Sequence, residues 1–399
     1  MPAADGGALG NPVILRGIKV GGQRPHLRGG VTTGSPANTI EVQANHVVFE
    51  SFELSGTGNI TTGTFRCFFH HSHAVVIRDA YIHDCPRQGV LGADTDSGSL
   101  TIEYTEIFNA GSNGGNHAVY MATNEDDYPG SVFRLQYSYL HDSDFPGGNP
   151  GNLIKSRAER NEIYYNWLED AGIHELELIG PDPAGGVAEN TAREDSDVVG
   201  NVIVHRSTFN AIRVGGDGTG QSNGRYRFVN NTIVFVGVPG ANTPAAWRTH
   251  FGIESLEMHN NVVWRDAAGV PRIWREESPT NWVFGAARIH GTNNWIKTGA
   301  TFVPAGWSVT LTGADPGFVS AAGLDFRPAA GSPLLETGAQ PPVTPPEFAI
   351  ANPVFPPVWH PSARALMEVG TAQPRPASGT LDIGAYEGGE LPLFSNGFE

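Results

Sequence analysis

The chain has 399 residues, of which 17% are charged, and a formal net charge of -16 at pH 7. No basic tail or Lys/Arg-rich run interrupts this acidic balance, which excludes nucleic acid and anionic membranes as general partners. No apolar run reaches the roughly 18 residues typical of a membrane span. With 51 glycines and 29 prolines, and many aromatic and β-branched residues, the composition favours short strands and tight turns.

The start of the chain carries no charged-then-apolar leader. We interpret residues 1–5 as the beginning of a chain from which a signal peptide has been removed, which predicts a secreted protein, extracellular or periplasmic. Cys67 and Cys85, the two cysteines, lie about one repeat apart. They predict either a disulfide between adjacent coils or two buried thiols. No Cys/His ligand spacing occurs near them, so we expect no zinc.

A repeated pattern of short strands runs through residues 74–264. Each copy has an alternating apolar run, a polar bend residue and a second short apolar run, as fixed-period solenoids do. The later bend residues are asparagines spaced by 35, 30 and 30 residues, and stacked asparagines can hydrogen-bond to one another and to the turn backbone. We therefore predict an asparagine ladder; its column contains Ala80, Thr105, Ser138, Asn166, Asn201, Asn231 and Asn261.

Another short strand precedes each of these runs. Its period-2 alternation predicts one face in the core and one in solvent. The inward residues are then Val119, Ile154, Leu176 and Ile212. Together the repeats predict an all-β fold, a right-handed single-stranded parallel β-helix with a C-terminal capping segment.

The repeat also predicts the domain organisation. Residues 1–36 form an N-terminal lead-in, 37–335 the β-helix, 336–390 a Pro-rich strap with a closing coil, and 391–399 a tail. We expect the chain to be a monomer.

The outward neighbours of the inward column carry the charged residues of interest. Because successive coils stack about 4.8 Å apart, Tyr120, Lys155, Glu177 and Arg213 should form one ladder of side chains. Four further residues fall on this strip. Arg157 lies two residues after Lys155 on the same strand. His117, Asn152 and His174 lie three residues before Tyr120, Lys155 and Glu177, respectively.

These residue types suit the eliminative cleavage of a uronic-acid polysaccharide. Such a reaction needs a cation on the C6 carboxylate, a base for the C5 proton and an acid for the leaving oxygen. Arg213 or Arg157 could hold the carboxylate, Lys155 could be the base, and Tyr120 or His117 the acid. Glu177, His174 and Asn152 join Arg157 as predicted substrate-binding residues. Insertions at 180–196 and 215–224 should form the walls of a groove.

The residues from Gly151 to Ala158 and from Ile163 to Asn166 match a sequence pattern known from other proteins. They resemble a family of bacterial β-helix proteins with an N-x-IKSRA…I-x-YN core and, more distantly, the β-helical alginate lyases and chondroitinase B. That resemblance implies Lys155 as base and Arg213 as acid. The chain departs from those lyases at residues 177–180, where they have Arg-His-Gly.

Three other interpretations of these residues stay open. The charged column could be an ion-pair ladder that only solubilises the surface. An inverting glycoside hydrolase would pair Glu177 with Glu169, Asp142 or Asp170. A non-catalytic carbohydrate-binding or surface protein would use exposed aromatics, for which the candidates are Trp264, Trp274, Trp282 and Trp295.

No cofactor is required by these readings, although calcium is an option. Oxygen-rich turns can coordinate Ca²⁺, and several flank the coils of Tyr120 and Lys155. The acidic residues in these turns are Asp94, Asp96, Glu125, Asp126, Asp127, Asp142 and Asp144.

Overall fold

The computed structural model describes the chain except for short stretches. The described residues are 1–29, 37–92, 95–112, 114–181, 195–217, 221–238, 243–266, 269–277, 282–376 and 379–388. Helical structure within them is limited to 3-10 turns at Ala3–Asp5 and Pro346–Phe348. Among these residues no helix has the length and apolar character needed to span a bilayer.

Short strands make up most of the regular structure. In chain order they are β1 (Val13–Arg16), β2 (His26–Arg28), β3 (Asn38–Val42), β4 (Val47–Glu50), β5 (Glu53–Ser55), β6 (Arg66–His70), β7 (Val75–Arg78), β8 (Tyr81–Cys85), β9 (Gln88–Gly92), β10 (Leu100–Glu103), β11 (Glu106–Ala110), β12 (Val119–Ala122), β13 (Val132–Gln136), β14 (Tyr139–His141), β15 (Ile154–Arg157), β16 (Arg160–Tyr164), β17 (Trp167–Glu169), β18 (Leu176–Ile179), β19 (Asp195–Val199), β20 (Val202–His205), β21 (Ile212–Gly215), β22 (Arg225–Val229), β23 (Thr232–Phe235), β24 (Ala245–Thr249), β25 (Ser255–His259), β26 (Val262–Arg265), β27 (Arg272–Glu276), β28 (Ile289–Thr292), β29 (Trp295–Lys297), β30 (Trp307–Ser308), β31 (Leu311–Gly313), β32 (Phe318–Ser320) and β33 (Asp325–Pro328).

Three parallel sheets run the length of the molecule, and each takes one strand from successive coils. The first sheet runs from β1 and β4 to β30, the second from β2 and β5 to β31, and the third from β3 and β6 to β27. In every sheet the spatial order follows the chain order. This is the predicted right-handed parallel β-helix.

The predicted inward column lies in the core. Val119, Ile154, Leu176 and Ile212 are fully buried and follow one another in register along the third sheet. The alternation that predicted them therefore holds coil after coil, with their neighbours facing outward.

The predicted asparagine ladder is also present at the bend between the first and second sheets. Asn166 Nδ2 donates to Asn201 Oδ1 at 3.0 Å, and the same bond links Asn201 to Asn231 and Asn231 to Asn261. Asn294, which the sequence alignment of the repeats had not included, continues the ladder beyond Asn261.

The stacked strands of the solenoid extend from β1 to β31. β1 pairs with β4 and β2 with β5, so stacked strands begin within the predicted lead-in of residues 1–36. At the other end the stacked strands finish at Gly313, before the predicted bound at 335. The predicted tail of residues 391–399 lies outside the described residues. Cys67 and Cys85 form a disulfide, which resolves the two alternatives for the cysteines.

The Pro-rich segment contacts the side of the β-helix. The Ala351 and Val354 amides donate to Asp195 and Asp197 of β19. Further along, the Leu366 amide donates to Glu106 of β11 at 2.9 Å. Side-chain carboxylates on the sheets thus satisfy backbone groups of the strap.

Asn231→Ala should lower the free energy of unfolding by about 2–4 kcal/mol. Its amide donates to Val198 O and its Oδ1 accepts from Asn201 N, and each buried group left unpaired costs about 1–3 kcal/mol. Denaturant midpoints would measure the change. Asn149→Ala, at an exposed asparagine outside the ladder, serves as control; equal midpoints for both variants would contradict a structural ladder.

The disulfide makes a separate prediction. The denatured, unreduced protein should contain no titratable thiol. Replacing both cysteines with alanine should lower the free energy of unfolding by about 3 kcal/mol, since the bond closes a short loop in the unfolded chain. Two free thiols in the purified protein would contradict the pairing.

Candidate functional site

The predicted charged column occupies the outer face of the third sheet. Register pairs Tyr120 with Lys155, Lys155 with Glu177, and Glu177 with Arg213. The column then continues to Arg248 on β24. Although these residues span more than a hundred positions in sequence, each is the direct neighbour of the next.

Lys155 lies at the centre of the column. Its Nζ is 3.3 Å from Asp217 Oδ2, 3.7 Å from Glu177 Oε2 and 5.4 Å from the centroid of the Tyr120 ring. The side chain is 11% exposed. The Lys155 ammonium thus lies among two carboxylates and an aromatic ring, and a small part of it is accessible to solvent.

Arg157 is more deeply buried and uses its hydrogen bonds on the protein. Its Nε donates to Tyr120 Oη at 2.9 Å, its Nη1 donates to Gly180 O at 2.7 Å, and its Nη2 pairs with Asp217. The guanidinium predicted to bind substrate thus positions Tyr120 and Asp217 directly.

Glu177 connects the cations to the polar side chains beneath them. Its Oε1 accepts from Arg213 Nη1 and its Oε2 accepts from Asn152 Nδ2, both at 2.5 Å. Burial opposes ionisation of this carboxyl, but the charges of Lys155 and Arg213 outweigh burial and lower its pKa to about 2. Glu177 is therefore a fixed anion at neutral pH.

The two predicted histidines are buried below the strip. Burial and the charge of Lys155 lower the pKa of His117 to about 3, and burial lowers the pKa of His174 to about 4. His117 Nδ1 accepts from the Asn152 amide at 3.1 Å, while His174 Nδ1 donates to Asn210 O at 2.5 Å. Both rings are neutral at pH 7.

Arg213 is a partly exposed cation of the column. Its Nε has no hydrogen-bond partner among the described residues, and its side chain is 15% exposed. Its Nη1 is held by Glu177, which fixes the plane of the guanidinium. The Nε atom itself is buried, so an incoming anion would meet the exposed part of the guanidinium side chain.

Sequence reasoning missed Asp217. It follows β21 in the glycine-rich insertion that was predicted only as a groove wall, and a loop residue has no place in a period-2 pattern. The sequence signal that could have indicated Asp217 was its position four residues after Arg213. Residues 218–220 of that insertion, and residues 182–194 of the one at 180–196, lie outside the described residues.

The carboxylates considered for a hydrolase do not face Glu177. Glu169 belongs to β17 of the second sheet and is paired with Arg206 and Arg364. Asp142 and Asp170 directly follow the second-sheet strands β14 and β17. These three pairings with Glu177 are therefore wrong, because the groups lie on a different sheet.

The acidic turns considered for calcium are spread apart. Asp96 pairs with His71 and Asp142 with His141, and the side chain of Asn124 caps the turn containing Asp126 and Asp127. Asp94 lies outside the described residues. Within the described ranges, none of these acidic residues belongs to a group of three ligand atoms close enough to share an ion.

Two of the four candidate sugar-stacking tryptophans are buried, and the other two, Trp264 and Trp274, are half-buried. Trp295 is 1% exposed and Trp282 8% exposed. Trp264 is half-buried, packs against Phe318, and donates from Nε1 to Ala314 O. These rings cap and fill the end of the solenoid, which weakens the reading of a binding module built on them.

A cavity of about 240 Å³ lies on another face, between the first sheet and the strap. Arg227, Glu257, Pro341, Pro353 and Phe355 are among its lining residues. None of the predicted site residues borders it, so it is separate from the charged column.

Comparisons with known proteins give a structural point of reference. No protein-family model matches the chain, and no curated protein matches its sequence. Among solved structures, that of pectate lyase Pel9A is similar, with 9% sequence identity and a TM-score of 0.45 over 96% of this chain and 82% of that one.

Glu177→Gln should change how stability depends on pH. The folded pKa lies below the value of about 4.3 expected in the unfolded chain, so the ionised group stabilises the fold above pH 5 and the contribution is lost as pH falls toward 2. We expect the variant to be less stable at pH 7 by about 2–3 kcal/mol, with a difference that shrinks below pH 4.

Denaturant unfolding between pH 3 and pH 8 would measure this difference. Glu347→Gln, at an exposed carboxylate, is the control and should follow the parent protein throughout. A constant offset between Glu177→Gln and the parent at all pH values would contradict the assigned ion pairs.

Proposed function

We propose that the chain is a polysaccharide lyase that cleaves a uronic-acid polysaccharide by β-elimination on the outer face of the third sheet. The observation that carries the proposal is the partly exposed side chain of Arg213, which is held by Glu177 and lies two positions along the column from Lys155. It supplies an anion-binding group beside groups able to exchange protons, on a chain that is otherwise strongly acidic.

Arg213 would bind the C6 carboxylate of the uronate. Neutralising this carboxylate makes the C5 proton more acidic, which is the difficult part of the elimination. Because Glu177 already holds one terminal nitrogen at 2.5 Å, the guanidinium needs little reorganisation when the substrate arrives.

Lys155 and Tyr120 would form the acid–base pair. The resemblance implied Lys155 as base; because its Nζ lies beside Asp217 and Glu177, we assign to it instead the donation of a proton to the leaving glycosidic oxygen. Tyr120 Oη accepts from Arg157 Nε, which places a positive charge beside this oxygen. To act as base, Tyr120 would first release its hydroxyl proton to solvent, and the phenolate would then take the C5 proton and return to the phenol. We therefore assign C5 deprotonation to Tyr120 and leaving-group protonation to Lys155.

The buried polar layer would keep these groups in place. Asn152 bonds to Glu177 and to both predicted histidines through its backbone amide and Oδ1. Asn152, His117 and His174 are thus positioning residues in this proposal. The Cys67–Cys85 disulfide supports the predicted secreted location, since such bonds persist in oxidising compartments.

The test is the appearance of an unsaturated uronate, followed by its near-ultraviolet absorbance, on a panel of alginate, pectate, chondroitin, hyaluronan and glucuronan. One substrate should respond. Lys155→Ala, Tyr120→Phe and Arg213→Ala should each lower the rate by roughly 10²–10⁴-fold, the usual contribution of a positioned acid, base or anion-binding donor.

Arg134→Ala is the matched control, because Arg134 is an exposed arginine on the first sheet. It should leave the rate unchanged. A substrate whose leaving group departs without a proton should restore much of the rate to Lys155→Ala but not to Tyr120→Phe. New reducing ends without the absorbance would point instead to hydrolysis by Glu177 and Asp217, and no product on any substrate would contradict an enzyme of this class.

A further inference from the structure

Two histidines and a glutamate meet on the second sheet, near the start of the solenoid. His26 of β2 is in register with Glu53 of β5, and His83 of β8 is in register with Ser55 of β5. The ligand-type atoms of His26, Glu53 and His83 all lie within 4.8 Å of one another. Three successive coils thus contribute one group each to a single point on the surface.

The spacing of these atoms fits a small tetrahedral cation. Glu53 Oε1 is 3.1 Å from His83 Nε2 and 3.5 Å from His26 Nδ1. Zinc bonds to nitrogen and carboxylate oxygen of about 2.0–2.1 Å place neighbouring tetrahedral ligands about 3.3 Å apart. Two nitrogens and one carboxylate are also the ligand set of many zinc sites that keep a fourth position open.

The far side of each imidazole is already anchored. His83 Nδ1 bonds to Asp84 Oδ2 at 2.8 Å, and His26 Nε2 bonds to Ser55 Oγ at 2.7 Å. A carboxylate or hydroxyl behind a ligating histidine fixes its ring orientation and raises the basicity of the nitrogen that faces the metal. Both rings therefore direct their other nitrogen toward Glu53.

A second cluster on the same sheet contains one histidine and two carboxylates, and it differs from the first in its ligand atoms. His141 bonds to Glu106 and Asp142, just as His83 bonds to Glu53 and Asp84. Burial opposes its protonation, but the two carboxylates outweigh burial and raise the pKa of His141 to about 9. Within the described residues no further ligand approaches this cluster, so it is a charged ion pair.

We propose that His26, Glu53 and His83 bind a divalent transition metal of the zinc class, with water as the fourth ligand. The site would join the first three coils of the solenoid. The first coil has a neighbour on one side only, so it lacks half of the packing that stabilises interior coils. The disulfide between β6 and β8 lies in the same region, and the metal would add a second cross-link there.

Zinc titration of the untagged full chain, after chelator treatment and dialysis, tests this proposal. Calorimetry should show about one zinc ion per chain, and the thermal midpoint should rise with zinc concentration as it does for any ligand that binds the folded state. His26→Ala and His83→Ala should abolish both effects. Asp84→Asn should weaken zinc binding by roughly 10–100-fold.

His141→Ala is the matched control and should leave zinc binding intact. His26 is 40% exposed, so its replacement tests the site even if His83→Ala folds poorly. Calcium at the same concentration should produce neither effect. Absent binding, or binding that survives in His26→Ala, would overturn the proposal. Neither result bears on the proposed lyase activity, whose residues lie on the third sheet.

Discussion

Parallel stacking in register is the constraint on which the rest of this molecule depends. Each coil places a strand directly over its predecessor in all three sheets, so residues about 30 positions apart become neighbours. The asparagine ladder enforces this register, because each amide bonds to the next asparagine and to a backbone carbonyl. A slip of one residue would break these bonds and move the core residues to the surface.

The charged column is a direct product of that register. Its ion pairs are largely buried, and taking charges out of water costs several kcal/mol per ion. A ladder that served only to solubilise the surface would be exposed, yet Glu177 and Arg157 are each 3% exposed. Such an arrangement is better explained by the need to hold Lys155, Tyr120 and Arg213 in fixed positions than by stability alone.

The sequence predicted those features that follow from periodicity. The inward column and the order Tyr120, Lys155, Glu177, Arg213 come from alternation and from the repeat, and both agree with the structure. Asp217 could not be found in this way, since it lies in a loop between coils whose path the repeat does not determine.

The cluster of His26, Glu53 and His83 was missed for a different reason. Metal sites are usually recognised by short local spacings, whereas these ligands are 27 and 30 residues apart and meet only through stacking. The contacts of the strap could not be predicted from the sequence either. Nothing in the Pro-rich composition of residues 341–361 indicates that Asp195 and Asp197 accept hydrogen bonds from its backbone.

The central claim is that residues from successive coils form one binding surface on the third sheet. Hydrogen exchange followed by mass spectrometry, with and without a short uronate oligosaccharide, tests it most directly. The account predicts slower exchange in peptides covering residues 152–157, 176–180 and 212–217 together, and unchanged exchange along the first sheet. Protection confined to the strap and the cavity beside Arg227, or no protection in the three segments, would contradict it.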